Sequence, residues 1–67
     1  MTNQKVIGKK LRMLRGSKPR KEVAKCVKIS VSALSMYENG ERMPRDEIKV
    51  ALAEYYNANV GELFFEN

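Results

Sequence analysis

The chain has 67 residues, with thirteen Lys/Arg against eight Asp/Glu and a net charge of +5. A chain of this length forms one small domain with a thin core, because it buries only ~60% of its unfolded surface. One cysteine and no histidine exclude a disulfide framework and a Cys/His zinc site, and no apolar run reaches the ~18 residues of a membrane span.

Val6, Ile7, Leu11 and Leu14 predict a first helix over residues 4–15, ended by Gly16 and Ser17. Pro19 suits the first turn of a second helix, where its missing N–H costs nothing. Val23, Ala24 and Val27 form the inward side of that helix, and Cys26 reads as a small buried or half-buried apolar residue. Ser30 suits the N-cap of a third helix and Gly40 the left-handed stop after it. Val31, Leu34 and Tyr37 supply its apolar spacing. Met43-Pro44 breaks the chain again, and Asp46 and Glu47 then stand where a helix N-terminus favours negative charge. Ile48, Ala51, Leu52 and Tyr55 give this fourth helix its apolar face. Asn57 suits the left-handed position that ends it. Asn59-Val60-Gly61-Glu62 reads as a capping box opening a last short helix, with Leu63 and Phe64 turned inward. No segment alternates convincingly with period two. The expected fold is therefore all-α, five short helices in a single domain over residues 1–67, and helices this short must be held by tertiary packing.

Charge is divided along the chain. Residues 1–45 carry twelve Lys/Arg against Glu22, Glu38 and Glu41, a net +9; residues 46–67 carry Lys49 against five acidic residues, a net −4. The first part suits a polyanionic partner and the second avoids one. The residue set argues against an enzyme: there is no histidine, no metal-ligand set, no Gly-rich phosphate loop and no pair of carboxylates in an apolar pocket. No catalytic residue, metal or cofactor is assigned. A single-strand binder would interleave exposed aromatics with its basic residues, whereas four of the five aromatics, all but Tyr37, lie in the acidic C-terminal third. With no export signal, the protein is expected to be soluble and cytoplasmic.

The stretch PRKEVAKCVKISVSALSMYENGERMP, Pro19–Pro44, has the form of a helix-turn-helix, with the small Ala24 allowing close packing of its two helices. Together with IGKKLRMLR at Ile7–Arg15 and LAEYYNANVGELF at Leu52–Phe64, it resembles the Cro/repressor-type, or XRE, helix-turn-helix family over nearly the whole chain. The resemblance implies a compact lambda-repressor-like domain in which helices 2 and 3 form the motif. Two positions depart from the family pattern. Lys28 stands where the turn usually has glycine, at a cost of roughly a kcal/mol if φ is positive. Pro19-Arg20 stands where relatives often have Ser/Thr and Gln, so Ser17 or Lys18 is expected to take over as boundary residue.

The resemblance also implies the sites. The N-terminal half of the third helix enters the major groove of duplex DNA, with Leu34 and Tyr37 turned into the core and Val31, Ser32, Ser35 and Met36 facing base edges. The absence of any acidic side chain in this helix before Glu38 fits such a contact. Serine hydroxyls donate or accept, and Val31 and the Met36 thioether press on thymine methyls. None of these makes a bidentate base contact, so backbone contacts and DNA shape are expected to carry a large share of recognition. Phosphate contacts are assigned to Arg20, Lys21, Ser30, Asn39, Arg42, Arg45 and the outer edge of Arg15, with Lys9, Lys10 and Lys18 as further candidates. Arg15 and Glu38 are also expected to form a structural ion pair that holds the third helix. The reading is a DNA-binding transcriptional regulator, in the manner of a phage-type or small bacterial repressor. It is expected to bind operator half-sites as a homodimer through Tyr56, Val60 and Phe65, with no small-molecule ligand and no membrane partner. The alternative is an antitoxin or a protein-binding adaptor on the same fold.

Overall fold

A computed structural model describes residues 4–65. These residues form five helical segments and no strand: α1 (Gln4–Arg15), α2 (Arg20–Val27), α3 (Val31–Glu38), α4 (Asp46–Tyr55) and a short π-helical segment, α5 (Gly61–Phe65). The all-α, five-helix expectation holds. α1 packs mainly on α3, α2 lies against both α3 and α4, and α5 closes on α1.

The core is built from the inward residues of every segment: Ile7 and Leu11 of α1, Val23, Ala24 and Val27 of α2, Leu34 and Tyr37 of α3, Leu52 and Ala53 of α4, Leu63 and Phe64 of α5. The first helix turns a narrower face inward than its four apolar residues predict. Val6 and Leu14 are exposed, and the third buried position is Gly8. Gly8 is where the backbones of α1 and α3 come closest. A Cβ there would lie 2.7 Å from the Tyr37 carbonyl oxygen and nearer still to that of Glu38. Cys26 is exposed rather than buried. It sits one residue before the inward Val27, and a 100° step carries it off the packed face.

Three of the helices end in the same way. Lys28, Gly40 and Asn57 are all left-handed, with φ of 66°, 74° and 54°. At each, the amide of the following residue reaches back five positions: Ile29 to the Ala24 carbonyl (2.9 Å), Glu41 to Met36 (2.9 Å), Ala58 to Ala53 (2.8 Å). This is the Schellman arrangement, which satisfies carbonyls that the helix end would otherwise orphan. It explains how Lys28 fills the glycine position of the helix-turn-helix. The turn keeps its shape and Lys28 carries the steric penalty of a Cβ at positive φ. Lys28→Gly is accordingly expected to stabilise the protein by about 1 kcal/mol, a rise in melting temperature of about 4–8 °C on thermal unfolding.

The start of α2 differs from expectation. Neither Ser17 nor Lys18 bounds it. Pro19 itself is the N-cap, extended at φ −65° and ψ 142° with no side-chain cap, and its carbonyl accepts from Glu22 and Val23. α3 begins with a full cap: the Ser30 hydroxyl accepts from the Ala33 amide at 3.0 Å. Asn59 caps α5 through Oδ1, which accepts from the Gly61 and Glu62 amides at 2.8 and 3.1 Å.

Candidate nucleic-acid interface

α3 presents an uncharged outer surface. Val31 and Ser32 are exposed, Ser35 and Met36 are half-buried, and Leu34 and Tyr37 point into the core. The one ionisable carboxylate of the helix, Glu38, has been withdrawn. Its residue exposure is 3%, and it is the only buried charged or polar residue among those described. What remains outside is a short surface of hydroxyl, methyl and thioether groups, chemistry that can meet base edges without repelling phosphates.

Glu38 is held by two arginines from other elements. Arg15, at the end of α1, donates from Nε to Oε2 at 2.7 Å and from Nη2 to Oε1 at 3.1 Å, a bidentate pair. Arg20, the first residue of α2, donates from Nε to Oε1 at 3.0 Å. The carboxylate thus ties the C-terminal end of α3 to the end of α1 and the start of α2. Its hydrogen bond to Arg15 holds that guanidinium protonated more firmly than usual, against the opposing effect of burial. Arg15 also donates from Nη1 to the Lys18 carbonyl at 2.8 Å. All three of its nitrogens are therefore committed inside the protein and its side chain is only 14% exposed. Arg20, whose side chain is 36% exposed, is the more accessible of the two guanidiniums. Arg20's place on Glu38 is the feature that sequence reasoning missed. The available signal was a glutamate four residues after the core Leu34, on the same inward helix face, where a buried charge must be paired.

The other expected phosphate contacts fall into two groups. Lys21, Arg42 and Arg45 are exposed, Arg45 as the N-cap of α4. Ser30 uses its hydroxyl oxygen as an acceptor in capping α3, which leaves its proton available to a second acceptor. Asn39 is engaged at both ends of its amide. Oδ1 accepts from Arg12 Nη2 at 2.7 Å, and Nδ2 donates to Glu41 Oε2 at 3.3 Å. Two of the further lysines are also engaged. Lys10 donates to the Glu62 carbonyl at 3.0 Å, linking α1 to α5, and Lys18 Nζ lies 5.0 Å from the centre of the Tyr55 ring.

The C-terminal residues expected at the dimer surface differ in exposure. Tyr56 does not point away from the protein. It packs against the core with its ring edge-on to Tyr55, and its hydroxyl is buried with no hydrogen-bond partner among the described residues. Val60 is partly buried against the same core. Phe65 is 59% exposed, with Lys49 Nζ 4.7 Å from its ring centre. Burial, followed by the nearby Glu38 charge, pushes the Tyr56 hydroxyl up to about 12. Its native value thus lies above the unfolded value of about 10. The stabilisation from keeping it neutral is complete below pH 10 and is lost as pH rises from 10 to 12. Tyr56→Phe is expected to remove this part of the alkaline loss. It is also expected to raise stability near neutral pH by about 1 kcal/mol, because it deletes an unsatisfied buried hydroxyl. Urea unfolding at pH 7 and pH 11 checks both.

Among the described residues, no group of His, Cys, Asp or Glu could hold a metal ion, and no helix is long and apolar enough to cross a membrane.

Comparison with known proteins agrees with the geometry. The helix-turn-helix family model matches residues 9–63, from the middle of α1 into α5. No curated protein sequence matches the chain. Among solved structures, the SOS-response transcriptional repressor LexA from Eubacterium rectale is similar with a TM-score of 0.87 and 24% identity, covering 97% of this chain and 71% of its own. The P22 c2 repressor, solved in complex with a synthetic operator, is similar with a TM-score of 0.86 and 23% identity, covering 92% and 97%. The restriction-modification controller protein C.AhdI from Aeromonas hydrophila has a TM-score of 0.81 and 25% identity, covering 91% and 96%. With the motif's turn, its capped third helix and a family match over most of its length, the chain belongs to the Cro/repressor-type (XRE) helix-turn-helix family of DNA-binding regulators.

Proposed function

We propose that the protein is a sequence-specific transcriptional repressor that reads operator half-sites by placing the N-terminal half of α3 in the major groove. The observation that carries this reading is the uncharged outer face of α3, whose only carboxylate is buried, in the part of the chain that holds most of the positive charge. In this reading Val31 and Ser32 meet base edges directly, and Ser35 and Met36 touch them from the half-buried flank. Lys21, Arg42, Arg45 and the Ser30 hydroxyl hold the phosphates on either side, and Asn39 joins them by exchanging its Glu41 contact. One such unit spans few base pairs, so two copies act on half-sites about one helical turn, ~34–36 Å, apart. Phe65, the exposed aromatic of α5, is the contact proposed between copies.

Selection of bound sequences from a random duplex pool tests the reading, since it returns half-site, spacing and symmetry together. A symmetric pair of half-sites is expected; an enriched pool with no common sequence contradicts the proposal. On the selected duplex, the double replacement Ser32→Ala with Ser35→Ala is expected to lower the preference over random duplex by about tenfold, a loss of roughly 1–2 kcal/mol. Arg42→Gln is expected to weaken both duplexes alike and to lower the salt slope of log K by about 1. Fluorescence anisotropy at several salt concentrations separates the two effects.

A further inference from the structure

Arg20 stands at the junction of two roles that the chain could have given to separate residues. Its Nε is fixed on Glu38 Oε1 at 3.0 Å, while its two Nη nitrogens have no hydrogen-bond partner among the described residues. Glu38 already has a bidentate partner in Arg15. The carboxylate therefore does not need Arg20 for charge balance: two guanidiniums on one carboxylate leave the cluster with a net single positive charge. Nor would a residue serving only as a phosphate contact at the start of α2 need its guanidinium locked. Flexible Lys21, the next residue, carries the same charge in an exposed position. The lock on Arg20 fixes the plane of its guanidinium with respect to the end of α3. A planar fork held on one edge presents its other edge in a defined direction.

From this we infer that Arg20 is a positioning residue for base reading. A DNA phosphate taken by its outer Nη edge is registered through Glu38 against the C-terminal end of α3, so this backbone contact sets where the recognition helix sits in the groove. The inference rests on the groove-reading proposal and deepens it. It gives Arg20 a role distinct from the uniform phosphate contact assigned to Lys21 and Arg42. A lysine at position 20 would keep the charge, but its single ammonium group cannot hold the carboxylate on one edge and offer a fixed second edge to the phosphate.

The test compares Arg20→Lys and Lys21→Gln with wild type on the selected duplex and on a scrambled duplex, across a salt series, at a temperature where circular dichroism shows each variant folded. Arg20→Lys is expected to lower the ratio of selected to scrambled binding by about tenfold, the size of one mismatched base pair, with the salt slope unchanged. Lys21→Gln is expected to lower the salt slope by about 1 and leave the ratio as it is. A ratio unaffected by Arg20→Lys overturns the inference and leaves groove reading intact. A wild type that binds both duplexes equally overturns groove reading and the inference with it. NMR supplies a second readout independent of affinity. The Arg20 Nε–Hε resonance is expected to be visible and slowly exchanging in wild type, both free and on the selected duplex. It is expected to move on DNA binding as the Nη edge is taken up. A fast-exchanging resonance that does not respond to the duplex contradicts the inference.

Discussion

Replacing Glu38 by Gln is expected to destabilise the protein by about 3–5 kcal/mol, the largest effect of any single polar substitution among the described residues. The carboxylate is fully buried at the side chain and accepts three hydrogen bonds from two guanidinium groups. Glutamine keeps the shape but removes the charge, and its NH2 group faces arginine donors where an acceptor is required. Arg15, only 14% exposed, is then left as a poorly solvated cation. A surface ion pair would cost ~0–1 kcal/mol to break; this one is costly because breaking it strands a charge. A domain of this size has a total stability of only about 3–10 kcal/mol, so the variant should sit close to its unfolding midpoint at room temperature. Thermal unfolding followed by circular dichroism checks this, with Asp46→Asn as the control. Asp46 is 95% exposed and pairs with Lys49 at 3.6 Å, so losing that pair should cost no more than about 1 kcal/mol.

The second large effect is expected at Gly8. On helix propensity alone, Gly8→Ala should stabilise α1 by about 1 kcal/mol. The structure reverses that sign. The new Cβ would meet the carbonyl oxygen of Tyr37 at 2.7 Å and the carbonyl carbon of Glu38 at 2.8 Å, all backbone of the last turn of α3. Backbone cannot rotate aside as a side chain would, so α1 must lift away from α3 along its main packing contact. We expect a net loss of about 3 kcal/mol, the upper end of overpacking penalties, read as a fall in melting temperature of about 12–24 °C. The same displacement moves the end of α3 that Glu38 anchors. The variant should therefore lose preference for the selected duplex even at temperatures where it is folded.

Local signals made much of the fold legible. Ser30 marks the start of α3 because its hydroxyl answers an orphan amide, and Gly40 and Asn57 mark helix ends because few residues accept positive φ. The family resemblance then arranged these helices and picked out the outer face of α3. What was illegible depended on which face the tertiary fold selects. Val6 and Leu14 fit a helical apolar stripe as well as Ile7 and Leu11 do, but the buried strip of α1 is narrowed by the close approach at Gly8. Tyr56 lies one residue beyond α4, where the chain turns toward Asn57 and the 100° spacing no longer tells inward from outward. Arg20 looked like a plain phosphate contact because a sequence shows its charge but not that Glu38 turns inward to meet it.

The central claim is that the outer face of α3 lies in the major groove of duplex DNA. The most direct measurement is an NMR titration of 15N-labelled protein with the duplex recovered by selection, following every backbone amide. The account predicts that the largest shifts fall on residues 30–36, with a second group at Lys21 and Arg42 and little change in α4. Shifts concentrated in α4 and α5, with the amides of Ser32 and Ser35 unmoved at saturation, would contradict it.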